Sequence, residues 1–419
     1  MYLRFRSFLI LCFLIPLFEM CRAPQQIPGS ARLLEDLMRQ QPQVFGKVLE
    51  QKDRLRVQVI YTQVDRDARN KPRFRNFYFN EDTGAYFYPA STVKMPIAFL
   101  ALEKRNDLGL PAGATLITEK NSPLQTAVYN DPTAPDGRPT LEHYIKKLFL
   151  VSDNDASNRL YEFLGQEYLH HQLKQKGFPG AQIVHRLSVS LPEAENRHTN
   201  PVSFFDSAGN LLRKQPATIS SYEYLQRKDA VGKGYMQGGQ LINQPMDFSS
   251  KNRFYLRDLH EMLQRVIFPE VVAPEKRFRF SEADYRFLYQ YMSQLPAETR
   301  YPEYNSKEYF DGYVKFFLYG TQKETKIPKH IRIFNKVGWA YGFLTDVAYI
   351  VDFENKVEFF LSATIYCNED EILNDDKYDF DSVGMPFLEQ LGQTVYRYEL
   401  KRKRRHIPDL SRFVLSYEK

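Results

Sequence analysis

The chain has 419 residues, of which 43% are hydrophobic, 26% charged and 15% aromatic, with 20 Gly and 24 Pro. These proportions are globular and exclude disordered, collagen-like and low-complexity classes, and a mean hydropathy of -0.49 excludes a polytopic membrane protein. Three cysteines exclude a disulfide framework or a Cys-built zinc site. The net charge of +6 is local, because residues 1–23 carry +2 and the run Lys401 to Arg405 carries +5, which leaves the rest one unit negative. A nucleic-acid surface needs basic residues spread over a face, so nucleic acid is excluded as a partner. The run 401–405 reads as a solvated helix end.

In chain order, Arg4 and Arg6 precede an apolar stretch from Phe8 to Phe18 that is too short for a comfortable membrane span, and Cys21-Arg22-Ala23 offers a cleavage site. This predicts a signal peptide at 1–23 and an exported chain, periplasmic or associated with the cell envelope. Cys21 as a lipidated first residue is the alternative. Residues 31–50 show helical spacing through Leu33, Leu34, Leu37 and Met38. Alternation around Val57, Val59 and Tyr61, and again around Phe77 and Phe79, predicts two adjacent strands.

A helix is expected to open near Ser91 and run through Ile97, Phe99, Leu100 and Leu102, with Pro96 in tension because it removes a backbone donor early in that helix. Residues 121–140 read as loop, 141–149 and 153–165 as helix, and 177–250 as an irregular or hairpin excursion. Helices resume at Leu256–Val266 and Glu282–Met292. Strands follow at Arg332–Lys336, Thr345–Asp352 and Val357–Tyr366, with a last helix at about 383–397. If the early and late strands share one antiparallel sheet, residues 24–95 and 310–419 form a discontinuous α/β lobe. Residues 96–309 are then an inserted, mainly helical lobe with the excursion 203–250, and a cleft lies where the two meet.

Three short strings carry chemistry. Ser91-Thr92-Val93-Lys94 places a serine and a lysine side by side on one helix face, and a lysine whose pKa is lowered can activate a serine hydroxyl. Ser152-Asp153-Asn154 stands at a helix start, where each of its residue types also serves as a plain cap. Lys336-Val337-Gly338 stands at a strand end. The order S-x-x-K, S-D-N, K-x-G resembles the signature of the serine β-lactamase and penicillin-binding superfamily, nearest class A. The flanks FYPASTVKMPIAFLALEK, VSDNDASNRLYEFLG and NKVGWAYGFLTDVAYIV, with Gly342 and Asp346, carry the same likeness.

The resemblance implies an α/β fold in which an antiparallel sheet is flanked by helices. It implies Ser91 as acylated nucleophile, Lys94 as its base and Ser152 as the proton donor to the leaving nitrogen. Asn154 would hold the substrate amide, and Lys336 would supply positive charge. Val337, Gly338, Trp339 and Ala340 would line the substrate, with the backbone N–H groups of Ser91 and Ala340 as the oxyanion hole. Trp339, the only tryptophan, would report on occupancy. No metal or organic cofactor is implied, and a monomer is expected.

Two departures matter. Val337 replaces a hydroxyl residue, and no E-x-x-L-N string precedes Asn196-Arg197-His198-Thr199-Asn200-Pro201, so the carboxylate that activates the deacylating water is missing unless Glu193 or Glu195 substitutes. The expected function is an exported active-site-serine hydrolase forming a slowly released acyl-enzyme with β-lactams or related amides. A D-alanyl peptidase acting on peptidoglycan peptide and a non-catalytic envelope binding module are the alternatives.

Overall fold

The computed structural model describes residues 32–419, so the expected export segment 1–23 and Cys21 lie outside the described residues. The helical stretch at the start divides into α1 (Leu33–Arg39) and α2 (Pro42–Glu50), because Pro42 is a favourable first residue of a helix and a poor interior one. Strands β1 (Gln58–Arg66) and β2 (Pro72–Phe79) pair antiparallel. Then come α3 (Lys94–Asp107), α4 (Leu141–Val151), α5 (Asn154–Leu164), α6 (Gln166–Gln175), α7 (Leu256–Ile267) and α8 (Glu282–Ser293). The late chain supplies β3 (Ile331–Ala340), β4 (Phe343–Asp352), β5 (Val357–Tyr366) and α9 (Met385–Lys401).

The central sheet has the order β3-β4-β5-β1-β2, and β1 lies antiparallel between β2 and β5 with Tyr61 opposite Leu361. Early and late chain therefore meet in one sheet. Strand alternation divides its apolar side chains between two cores. Val59, Tyr61, Ile333, Phe359 and Leu361 pack with α1, α2 and α9, while Ile60, Phe334, Val347 and Phe360 face the helices of the middle chain. Every residue of β4 and β5 is buried, as expected of strands covered on both faces. Residues 202–247 form short strands and hairpins, one of which pairs with Ile372–Leu373 after β5. No helix among the described residues is long and apolar enough to cross a membrane.

Three elements differ from expectation. Helix α6 follows Gly165 directly; its polar sequence hides a buried stripe of Leu169 and Leu173. Strand β3 continues past Lys336 to Ala340, where Tyr341 and Gly342 make a two-residue turn with φ of 53° and 78°. The basic run is not a solvated helix end throughout. The fully buried Glu399 accepts from Arg402 at 2.8 Å and from Arg404, and Arg402 also reaches Asp65 at 2.5 Å.

Pro96 is the third residue of α3, inside the first turn, where an N–H has no intrahelical partner. The tension therefore disappears. Pro96→Ala is expected to destabilise the protein by less than about 1 kcal/mol through unfolded-state entropy; stabilisation in a urea titration would place the proline in the helix interior instead.

Candidate active site

Ser91 lies in a single 3₁₀ turn, Ala90–Val93, that leads into α3. The regular helix thus begins at Lys94 rather than near Ser91. Ala90 has φ 45°, and the Thr92 N–H and hydroxyl both donate to the Pro89 carbonyl, at 3.0 and 2.6 Å. Residues three apart eclipse in such a turn, so Ser91 and Lys94 share a side. Lys94 is fully buried, whereas Ser91 is partly exposed and lines the cleft.

Ser152-Asp153-Asn154 combines the two readings of its sequence. Asp153 caps α5, accepting from the Ala156 N–H at 2.8 Å. Ser152 ends α4 in a left-handed conformation with φ 59°, which turns both it and Asn154 toward Lys94. The Lys94 amine donates to the Ser152 carbonyl and to Asn154 Oδ1 at 2.6 Å, and lies 3.2 Å from Ser152 Oγ. Lys336, also buried, donates to the same Ser152 Oγ at 2.8 Å and to the Val337 carbonyl at 2.9 Å. Two amines therefore meet on one hydroxyl.

Burial pushes the Lys94 amine down to about 7, against a smaller opposing pull from Asp153. Burial also pushes Lys336 well down, helped by Lys94 and Lys315 and resisted by Asp346. Asp346 is held on the opposite face by Asn335 at 2.8 Å and the Phe317 N–H at 3.2 Å. Burial raises its carboxyl to about 6 despite those bonds.

Gly338 brings β3 against the serine. A Cβ there would stand 2.6 Å from the Pro89 carbonyl oxygen and 2.9 Å from the Ser91 and Thr92 nitrogens. Only a residue without a side chain permits that approach. Val337 points into the core on the other side and does not line the cleft, so its missing hydroxyl is not a missing cleft contact. Gly338 likewise contacts the serine turn rather than the open cleft.

Strand parity corrects the expected oxyanion donor. The Cys367 N–H donates to the Gly342 carbonyl, which fixes Gly342 as facing β5 and Phe343 as facing β3. Ala340, opposite Phe343, therefore directs its N–H toward β4. Trp339 directs its N–H to the open edge beside Ser91, in step with the outward Val337 carbonyl that accepts from Lys336. Trp339 and Ala340 both line the cleft.

Of the two candidate carboxylates, Glu193 alone lines the cleft that holds Ser91. Glu193 lies at the cleft rim and is ion-paired with Arg197 at 3.0 Å, while Glu195 does not line the cleft. Asn196 is spent on holding the loop, accepting from the Arg186 N–H at 3.0 Å and donating to the Leu191 and Pro192 carbonyls at 3.1 and 3.2 Å. The loop residue that contacts Asn154 is Ser188, with φ 54°, whose hydroxyl accepts from Asn154 Nδ2 at 2.8 Å. No sequence motif marks it.

The cleft encloses about 990 Å³. The sequence reading also missed its aromatic lining, including Tyr88, Tyr341, Tyr309 and Tyr313. The last two come from the segment between α8 and β3. Among the described residues, no group of three or more His, Cys, Asp or Glu is arranged to hold a metal ion.

The model of the beta-lactamase enzyme family matches residues 44–398. No curated protein matches the chain. Among solved structures, a beta-lactamase from Sphaerobacter thermophilus aligns at 13% identity over 89% of this chain and 98% of its own, with a TM-score of 0.48. PBP-A aligns at 15% identity over 90% and 98%, with a TM-score of 0.47. A beta-lactamase from Francisella tularensis aligns at 14% identity over 87% and 99%, with a TM-score of 0.46.

The Gly338 contact is directly testable. Gly338→Ala forces a methyl group onto backbone atoms that cannot rotate away, and is expected to cost about 1–3 kcal/mol in chemical denaturation; an unchanged midpoint would show that strand and serine turn are not in contact.

Proposed function

The chain belongs to the beta-lactamase enzyme family, and we propose that it is an exported active-site-serine hydrolase, nearest the class A enzymes, that forms a long-lived acyl-enzyme with β-lactams or related amides. The observation that carries this reading is the convergence of the Lys94 and Lys336 amines on Ser152, beside the turn that presents Ser91.

An uncharged Lys94 has two N–H bonds, enough for the Ser152 carbonyl and Asn154 Oδ1, and one lone pair left to take a proton. In the proposed reaction the Ser91 hydroxyl attacks the substrate carbonyl and its proton passes to Lys94. The N–H groups of Ser91 and Trp339 stabilise the oxyanion. Ser152 passes a proton to the leaving nitrogen and is reprotonated from the lysine side. Lys336, which donates to Ser152, keeps that hydroxyl oriented; with Lys94 uncharged, one of the repulsions that lower Lys336 is relieved, and in its protonated form it adds positive potential for a substrate carboxylate. Asn154 places the acyl amide.

Release of the acyl group needs a base on a water beside the ester. Ser188, the loop residue that contacts Asn154, is no base, while Glu193 is ion-paired with Arg197. The ester therefore persists. This persistence keeps a penicillin-binding-type peptidase on peptidoglycan as the second reading, with the same acylating residues and a different acceptor.

Intact-protein mass after brief exposure to a penicillin is expected to show one adduct that is lost in Ser91→Ala and decays over minutes or longer. No adduct at saturating ligand would leave a non-catalytic binding module. Because the uncharged amine is the base, acylation is expected to rise about tenfold per pH unit below 7 and to level off above it. A rate that climbs only near pH 10 would mean that Lys94 stays charged. Lys94→Arg is expected to slow labelling by about 10²–10⁴-fold. Ser188→Glu puts a carboxylate beside Asn154 and is expected to shorten the adduct lifetime on the order of 10²-fold; an unchanged lifetime would show that the loop does not govern deacylation.

A further inference from the structure

Four aromatic rings form a continuous series beside the open edge of β3. Centroids are 5.1 Å apart from Tyr304 to Tyr309, 4.9 Å from Tyr309 to Tyr313 and 6.2 Å from Tyr313 to Trp339, with planes inclined by 53°, 70° and 89°. Each step is the inclined or edge-to-face contact that ring quadrupoles favour. Phe316 supports Trp339 from another side at 5.6 Å. Three of the four rings belong to the segment between α8 and β3, and Trp339 belongs to the strand itself.

The series does not end in the core. Trp339 is 36% exposed, and Tyr309, Tyr313 and Trp339 all line the cleft that contains Ser91. Trp339 also follows Gly338, whose position is fixed by contact with the serine turn. An exposed large ring anchored on two inner rings and held at a set distance from a reactive hydroxyl has the geometry of a subsite. The inclined packing leaves ring edges and faces open to another ring, whereas a sugar lies on a single flat platform.

We propose that this wall is a specificity subsite for substrates whose acyl side chain carries an aromatic ring, the substrate ring adding as the next member of the series. The proposal rests on the acyl-enzyme reading for its substrate class, and on the ring geometry alone for its preference. A favourable ring pair is expected to favour an aromatic over an aliphatic side chain of similar size about two- to tenfold.

Trp339 is the only tryptophan, so intrinsic fluorescence reports on this wall without labelling. Ser91→Ala protein, which cannot be acylated, is titrated with phenylacetyl- and hexanoyl-substituted penicillins, and the same pair is then run on Ser91→Ala/Tyr313→Leu. The expected result is tighter binding of the phenylacetyl compound by about two- to tenfold, with the ratio falling below twofold when Tyr313 is replaced. Equal affinities, a ratio unchanged by Tyr313→Leu, or no fluorescence change with either compound would overturn the proposal. A parallel mass measurement on the unmodified protein separates this from the parent reading. Ser91 labelling without side-chain preference defeats the subsite alone. A Tyr313-dependent preference without labelling defeats the hydrolase and leaves the subsite in place.

Discussion

The Lys94 amine has no access to bulk water, and the three groups within hydrogen-bond distance of it are neutral oxygens. Full burial penalises its charged form, and the carboxylate that opposes this, Asp153, is already committed to capping α5. The neighbouring amine of Lys336 is equally buried and shares Ser152 Oγ with it, so two positive charges side by side would repel each other in a medium that screens them poorly. The proposed chemistry depends on that burial, since a solvated lysine at neutral pH holds its proton and cannot take one from a serine.

The fold supplies this environment by bringing four distant segments to one place. The 3₁₀ turn before α3 exposes Ser91 while its lysine stays inside. The left-handed end of α4 turns Ser152 and Asn154 inward. Strand β3 slides against the serine turn because Gly338 has no side chain. The pairing parity of the β3–β4 hairpin then leaves the Trp339 N–H on the open edge. The loop at 184–196 closes the remaining side, with the Ser188 hydroxyl against Asn154 and Glu193 at the rim in an ion pair with Arg197.

Much of this was legible in the sequence, and the failures have physical causes. The apolar alternation of β1, β2, β4 and β5 and the spacing of α3 identify themselves because burial dictates residue type there. S-x-x-K, S-D-N and K-x-G were legible because each needs a chemical group at a fixed spacing. Helix α6 was missed because its exposed faces are polar and only Leu169 and Leu173 mark the core. Val337 was misassigned to the substrate because a string of letters does not show which face of a strand a side chain occupies. Ala340 was preferred to Trp339 for a related reason, because the turn that sets the parity was not recognised. Arg402 and Arg404 look solvated in sequence, and only tertiary contact reveals the buried Glu399 between them. Ser188, Tyr309 and Tyr313 carry no local signal, since their roles come from where loops end in space.

The most direct test of the account is the ionisation of Lys94 itself. With lysine labelled at Cε and the resonance assigned through Lys94→Arg, a carbon NMR titration of the unliganded protein is expected to show an inflection near pH 7. An amine that stays charged up to the ordinary lysine range near 10.4 would contradict the account, because the residue would then hold a proton where the chemistry requires a lone pair.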